Sequence, residues 1–274
     1  MMELIKAVIF GIVQGITEWL PISSTGHLLL VDELIALKVF DDVAMNTSFV
    51  NMFMVVIQFG SILAVCLLYY QKLNPFLKTK SPTERKETLN LWGKVLIGII
   101  PAGIAGILLD DLIDSYFHGP IVIAVMLIVY GILFIVVENQ KRRASIRSFD
   151  QMSWKTALAI GCFQALALIP GTSRSGATII GAVILGTSRT VAAEFSFFLA
   201  VPVMAGASLL KIIKMNVVMN TLAWATLLIG TFVSFIVSVL AIRFLIDYIR
   251  KHNFKAFGVY RIVLGILVLL TVFL

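Results

Sequence analysis

The sequence predicts an all-α polytopic membrane protein with six transmembrane helices and two re-entrant helical hairpins in an inverted repeat. Hydrophobic residues make up 59% of the 274 residues and charged residues only 14%, a composition far from that of soluble domains. A backbone at bilayer depth must satisfy its own hydrogen bonds, and the long apolar runs lack the alternation of barrel strands. Helices therefore remain as the spanning elements.

Six apolar runs are long enough to span a membrane, since a hydrocarbon core of about 30 Å needs about 20 helical residues. They lie near residues 49–70, 93–110, 120–138, 194–213, 222–246 and 257–274. The lipid bilayer is thus the first expected partner of the chain. The formal net charge is +7, but Lys and Arg are gathered in loops between apolar runs and not along one basic face. We therefore expect no nucleic-acid partner.

Two further apolar stretches, 4–38 and 154–188, are each broken in the middle by Pro, Gly and hydroxyl residues. The breaks are PISSTGH (21–27) and PGTSRSG (170–176). The arms that follow, 28–38 and 177–187, hold 11 residues each. At 1.5 Å per residue each arm reaches only about 16 Å. Each stretch therefore predicts a hairpin that enters the membrane and turns back, with its non-helical turn buried in protein or lining a cavity.

Charge placement predicts how the chain crosses the membrane. Three basic loops are expected on the cytoplasmic side, and the acidic loop at 110–114 is expected outside. These signs alternate correctly only if 154–188 re-enters, so the two hairpins enter from opposite faces. We predict a single membrane domain, 1–274, with inverted halves of about 1–145 and 146–274. The basic loop residues are Lys72, Lys78, Lys80, Arg85 and Lys86; Lys141, Arg142, Arg143 and Arg147; and Arg250, Lys251 and Lys255.

Short internal matches agree with an inverted repeat. GIVQ (11–14) matches GCFQ (161–164), and PISSTG matches PGTSRSG.

The conspicuous ionisable residues inside the apolar stretches, Glu18, His27 and Arg174, all lie at or beside the two breaks. A charge at the bilayer centre costs about 2.5–3.5 kcal/mol on insertion scales, so a purely structural role is expensive. One alternative remains open, in which Glu18 and Arg174 form an ion pair that only locks the hairpins together. His27 alone is also compatible with a core position.

Both breaks lead into a short predicted helix, beginning near Leu28 and near Ala177. Backbone N–H groups at helix starts bind anions, and the planar guanidinium of Arg174 can bond two phosphate oxygens at once. If the two turns meet at mid-membrane, they form one phosphate site. Its candidate binding residues are Ser23, Thr25, Gly26, Ser173, Ser175, Gly176 and Thr178. Each hydroxyl taken singly could instead bond its own backbone.

A nucleophile and its helpers are candidates in the first turn. Ser24 lies three residues before His27, close enough for the imidazole to take the hydroxyl proton. Gln14 and Glu18 lie four residues apart on one helix face, so both side chains can point at the same site. The predicted catalytic residues are therefore Ser24, His27, Glu18 and Arg174, with Gln14 in support.

At these residues the sequence resembles the undecaprenyl-diphosphate phosphatase family, whose members confer bacitracin resistance. The segments QGITEWLPISSTGH (14–27), VIQFGSILAV (56–65), PGTSRSGAT (170–178) and EFSFFLAVP (194–202) carry the resemblance. It implies hydrolysis of undecaprenyl diphosphate to undecaprenyl phosphate and phosphate, which recycles the lipid carrier of cell-wall synthesis. It also implies a bacterial plasma-membrane location and a site that faces outside.

The resemblance is carried over residue by residue. Glu18, Ser24 and His27 match functional positions of the first motif; Ser173, Arg174 and Thr178 match those of the second. Gln14 replaces the commoner acidic residue and cannot act as an acid or base. The family also implies help from Mg²⁺ or Ca²⁺, with Glu18 as a metal ligand.

Three questions stay open on sequence alone. Either Ser24 attacks the phosphate while His27 or Glu18 moves protons, or water attacks directly with His27 as base. An isoprenyl-phosphate transporter or flippase would also use inverted repeats with broken helices. Assembly into a homo-oligomer is a third open question.

Overall fold

The computed structural model describes residues 1–117, 119–140, 143–213 and 218–273, and most of these residues are helical. Within them the α-helices are α1 Met2–Thr17, α2 Ser24–Ile35, α3 Val43–Leu68, α4 Tyr70–Leu73, α5 Pro82–Phe117, α6 Pro120–Asn139, α7 Trp154–Ala165, α8 Arg174–Ile184, α9 Arg189–Ile213, α10 Thr221–Lys251 and α11 Lys255–Phe273. A short 3-10 turn, Leu166–Leu168, follows α7.

The prediction of an all-α polytopic membrane protein with six spans is confirmed. Helices α3, α6, α9, α10 and α11, together with Pro82–Leu109 of α5, are long and apolar enough to cross a membrane. Helix α5 begins well before the predicted residue 93 because Ser81 and Glu84 form a reciprocal cap at its start. The Ser81 N–H donates to the Glu84 carboxylate at 2.7 Å, and the Glu84 N–H donates to Ser81 Oγ at 3.3 Å.

One expectation about the loops is wrong. Residues 110–114, expected to form an acidic outside loop, belong to α5, which continues to Phe117. The side chains of Asp110, Asp111 and Asp114 lie outside the described residues, as do Lys141 and Arg142 of the second basic loop.

The chain divides into two compact units. The first consists of Met1–Trp19, Ser24–Leu68 and Ala200–Phe244; the second consists of Leu20–Ser23, Tyr69–Leu199 and Leu245–Leu274. Each unit draws segments from both predicted halves of the sequence. The single membrane domain, its inverted halves and the re-entry of the hairpins stay predictions.

Helices α1 and α2 form a closed hairpin in the first unit. The Lys6 ammonium group donates to the Ala36 carbonyl at 2.7 Å and to the Glu3 carboxylate at 2.8 Å. That carboxylate also accepts from the Lys38 N–H at 2.8 Å. These contacts tie the end of α2 back to the beginning of α1.

Helices α7 and α8 form a closely packed hairpin in the second unit. A Cβ atom on Gly181 would lie 2.4 Å from Cγ of Phe163, so only glycine fits there.

The short helices begin earlier than predicted, at Ser24, four residues before Leu28, and at Arg174, three residues before Ala177. In both cases the preceding serine has a left-handed backbone, with φ of 77° at Ser23 and 71° at Ser173. This conformation is uncommon for residues other than glycine and ends the turn abruptly. As a consequence, Ser24 and Arg174 occupy the same position in the two motifs, the first residue of a short helix.

Small residues bring α1, α3 and α10 together in the first unit. A Cβ atom on Gly60 would lie 2.1 Å from the Thr231 carbonyl oxygen, so the backbones of α3 and α10 are nearly in contact. Hydroxyl groups bridge the same helices: Ser61 Oγ lies 2.8 Å from Ser234 Oγ, and Ser238 Oγ donates to the Gly15 carbonyl at 3.3 Å. Small and hydroxyl residues are the usual means of tight helix packing in lipid.

We expect Gly60→Ala to destabilise the protein by about 1–3 kcal/mol, the usual cost of forcing an extra methyl group into packed space. Gly103→Ala on α5 is the matched control, because a Cβ atom there would meet nothing within 4 Å. Thermal unfolding in one detergent should show a lower midpoint for Gly60→Ala only. Equal midpoints for the two variants would contradict the close approach of α3 and α10.

Candidate active site

Glu18 is the centre of a polar group in the first unit. It caps the C-terminus of α1, where its N–H donates to the Gln14 carbonyl at 3.0 Å. Its carboxylate oxygen Oε2 accepts two side-chain hydrogen bonds of 2.9 Å each, from Gln14 Nε2 and from Ser24 Oγ. Gln14 and Glu18 are both buried. The Ser24 hydroxyl therefore already donates to a buried carboxylate, which is the arrangement that activates a hydroxyl nucleophile.

The other predicted residues of the first motif follow Ser24 on α2. Thr25 is exposed, Gly26 is buried and His27 is half-buried in the first turn of the helix. His27 thus lies one turn beyond Ser24, whose hydroxyl donates to Glu18.

A second polar group surrounds the start of α8 in the second unit. Arg174 Nη1 donates to the carbonyl oxygen and to the hydroxyl of Ser196, at 2.7 and 3.2 Å. Thr178 Oγ1 donates to the same Ser196 hydroxyl at 2.6 Å. Ser196 lies on α9 and is fully buried. Arg174 and Thr178, which the sequence predicts to act together, therefore share one partner.

Hydroxyl groups also order the turn before α8. Ser173 Oγ accepts from the Gly176 N–H at 3.2 Å and lies 3.2 Å from Ser175 Oγ. Ser175 Oγ in turn lies 3.4 Å from the Leu20 carbonyl oxygen. Because Leu20–Ser23 belongs to the second unit, the backbone of the first motif turn meets the second motif turn within that unit.

Two residues near the second group are absent from the sequence-based predictions. Ser196 gives no distinctive signal, because hydroxyl residues are common in membrane helices. Arg261 does give one, since it is an arginine within the apolar run 257–274 and carries the same burial cost as Arg174. Arg261 is fully buried and donates to carbonyl oxygens of both motif turns.

The four-residue sequence Gly-Thr-Ser-Arg occurs a second time, at 186–189. Gly171 and Gly186, the first residues of the two copies, have similar left-handed φ angles of 87° and 89°. In the second copy, however, Arg189 forms a two-pronged ion pair with Glu138, with Nε donating to Oε1 at 2.8 Å. The second copy therefore offers an internal reference for Arg174.

Comparison with known proteins gives one consistent result. The chain matches the family of bacitracin resistance protein BacA over residues 7–267. It is 56% identical over 274 residues to undecaprenyl-diphosphatase 1 of Clostridioides difficile (strain 630), covering 100% of this chain and 98% of that protein. It is 56% identical over 272 residues to undecaprenyl-diphosphatase of Enterococcus faecalis, covering 98% and 96% of the two chains. The corresponding protein of Lactiplantibacillus plantarum (strain ATCC BAA-793 / NCIMB 8826 / WCFS1) is 54% identical over 274 residues, covering 98% of each chain.

Proposed function

The chain belongs to the bacitracin resistance protein BacA family and removes a phosphate from undecaprenyl diphosphate, and we propose that Ser24, Glu18 and Arg174 carry out this hydrolysis. The observation that carries the proposal is the 2.9 Å hydrogen bond from the Ser24 hydroxyl to the buried Glu18 carboxylate. A carrier that only binds phosphate has no use for such a pair. This pairing favours hydrolysis over the transport of isoprenyl phosphates.

In the proposed first step, Ser24 Oγ attacks the terminal phosphorus and Glu18 takes the hydroxyl proton. The bond from that phosphorus to the bridging oxygen breaks, and undecaprenyl phosphate leaves with the electron pair. In the second step water attacks the phosphorus now bound to Ser24, and a proton returns to Oγ as phosphate leaves. We assign to His27, one turn further along α2, the role of accepting the proton of the attacking water.

The second polar group is proposed to hold the diphosphate. Arg174 at the first position of α8 presents a planar cation that suits phosphate oxygens, and Thr178 and Ser196 fix its direction. The backbone N–H groups at the two short helix starts favour the same negative charge. The further phosphate contacts are assigned to Ser23, Thr25, Gly26, Ser173, Ser175 and Gly176.

A divalent cation, Mg²⁺ or Ca²⁺, also fits this proposal. Gln14 Oε1 is buried and has no hydrogen-bond partner within the described part of the chain. The side-chain Nε2 of the same residue donates to Glu18. A carboxylate plus an amide oxygen are suitable ligands for these hard cations, which take further ligands from substrate phosphates. Glu18 and Gln14 are therefore the residues that would hold the ion, which would neutralise charge on the diphosphate. Among the described residues, no group of three or more His, Cys, Asp or Glu side chains could hold a metal ion.

The protein is a multi-pass membrane protein, and the lipid diphosphate is its substrate. We propose that the site opens to the outer face of the plasma membrane, as the resemblance to the family implies.

The proposed function is tested by phosphate release from undecaprenyl diphosphate, using the purified chain in detergent. We expect release that stops after chelation with EDTA and resumes when Mg²⁺ or Ca²⁺ is restored. Release that persists in EDTA would remove the metal from the scheme. No release by a folded protein that still binds the lipid would contradict hydrolysis and favour transport.

A further inference from the structure

Arg261 is a buried cation that has no carboxylate partner among the residues that the structure describes. Its side chain is 0% exposed, and Cζ of its guanidinium lies 5.5 Å from the centroid of the Tyr130 ring. Buried charges are normally paired with an opposite charge. Within the described part of the chain, however, every hydrogen bond of Arg261 goes to a backbone carbonyl oxygen. A static ion pair therefore does not explain its presence.

Three of the five carbonyl groups that Arg261 contacts belong to the two motif turns, and the other two, those of Met126 and Leu127 on α6, lie at the longer distance of 3.5 Å. Nη2 donates to the carbonyl oxygens of Gly171 and Thr172 at 2.8 and 2.9 Å, and Nη1 donates to that of Pro21 at 3.3 Å. Pro21 lies two residues before Ser23, and Gly171 lies two residues before Ser173. Arg261 thus binds the equivalent carbonyl group in each turn.

These turns are strained and need to be held. Ser23 and Ser173, which end them, both have left-handed φ angles, a conformation that persists in L-residues only where the surroundings enforce it. In a trans peptide the C=O and the following N–H point in opposite directions. The bond from Arg261 to the Thr172 carbonyl therefore directs the Ser173 N–H away from Arg261.

Arg261 also lies directly against the start of α8. A Cβ atom on Gly176 would approach Nη1 of Arg261 to 3.1 Å, and Gly176 is in the first turn of that helix. The positive charge of Arg261 is thus placed next to the helix start that is assigned to the diphosphate.

We propose that Arg261 is a positioning residue for hydrolysis: it fixes both motif turns through their carbonyl groups and adds positive charge beside the bound diphosphate. This inference rests on the proposed function. A positioning role differs from a purely structural role in one respect. A structural arginine affects only the amount of folded protein, whereas a positioning arginine changes kcat of each folded molecule.

The test compares kcat and KM of folded Arg261→Lys and Arg261→Met with the wild type, in one detergent. We expect kcat of Arg261→Met to fall roughly 10- to 100-fold, the range that corresponds to losing hydrogen bonds from a charged group, with KM changed far less. Arg261→Lys should lose less kcat than Arg261→Met, because lysine keeps the positive charge but lacks the planar guanidinium group. The control is Lys94→Met, which removes another buried cation that donates to a carbonyl oxygen, that of Phe149 at 2.8 Å. Its kcat should stay at the wild-type value.

Tyr130→Leu provides a second test that leaves every carbonyl bond of Arg261 available, in case the arginine variants fail to fold. Losing the ring under the guanidinium should lower kcat about two- to tenfold. Wild-type kcat in folded Arg261→Lys or in Tyr130→Leu would overturn the positioning role. Failure of the proposed function is distinguishable, because the wild-type chain itself would then release no phosphate in the same assay.

Discussion

The Ser24→Ala variant is expected to lose phosphate release by at least about a thousandfold, because removal of a covalent nucleophile leaves only the contributions of binding and charge. Its binding of undecaprenyl diphosphate should change little, since the hydroxyl is assigned to attack and not to affinity. The measurement is kcat at saturating lipid, with binding of a non-hydrolysed lipid phosphate followed in parallel.

A matched control for Ser24→Ala is Ser61→Ala in the same unit. Ser61 is a buried serine that donates or accepts a 2.8 Å hydrogen bond with Ser234, so its removal disturbs packing but no proposed chemistry. Folded Ser61→Ala should keep its kcat. If Ser24→Ala kept more than about a tenth of wild-type kcat, covalent attack would be excluded, and direct attack by water would take its place.

Arg174→Ala is expected to lower kcat by roughly 10³ to 10⁵, the range found when an arginine that stabilises transferring phosphate is removed. The physical reason is that charge develops on the phosphate oxygens during transfer, and a preorganised guanidinium stabilises it without any rearrangement. Arg174→Lys should recover little, because a point charge cannot reproduce the two-pronged contact.

Arg189→Ala is the matched control for Arg174→Ala, because Arg189 follows the same Gly-Thr-Ser sequence but is bound to Glu138. Arg189→Ala should lower the free energy of unfolding but leave kcat of the folded protein close to the wild-type value. Comparable kcat losses in both arginine variants would mean that the arginine of a Gly-Thr-Ser-Arg turn matters for folding in general. That result would contradict the specific role of Arg174.

Sequence predicts the spanning helices well because their signal is long and redundant. Some twenty apolar residues in a row leave few alternatives, so the positions of α3, α6 and α11 follow almost directly from the runs. Helix starts are less well predicted, because Ser, Thr and Gly are weak helix formers and read as turn residues. This is why α2 and α8 begin four and three residues before the predicted positions, at Ser24 and Arg174.

The pairings among the candidate site residues are not predictable from spacing. Spacing alone suggests that His27 takes the Ser24 proton, whereas the structure pairs the Ser24 hydroxyl with Glu18. The chain between the two residues passes through the left-handed backbone of Ser23, which no spacing rule describes. Arg261 illustrates the same limit: its partners at Pro21 and Gly171 are 240 and 90 residues away in sequence, so only packing brings them together.

The activation of Ser24 by Glu18 is tested most directly by comparing kcat of Glu18→Gln with kcat of His27→Gln. Glutamine keeps the size of the side chain and its ability to accept a hydrogen bond but removes the base. We expect Glu18→Gln to lose at least about 100-fold in kcat and His27→Gln to lose less, since Ser24 can still attack. A His27→Gln protein that is inactive beside a Glu18→Gln protein with wild-type kcat would contradict the role of Glu18 as the base.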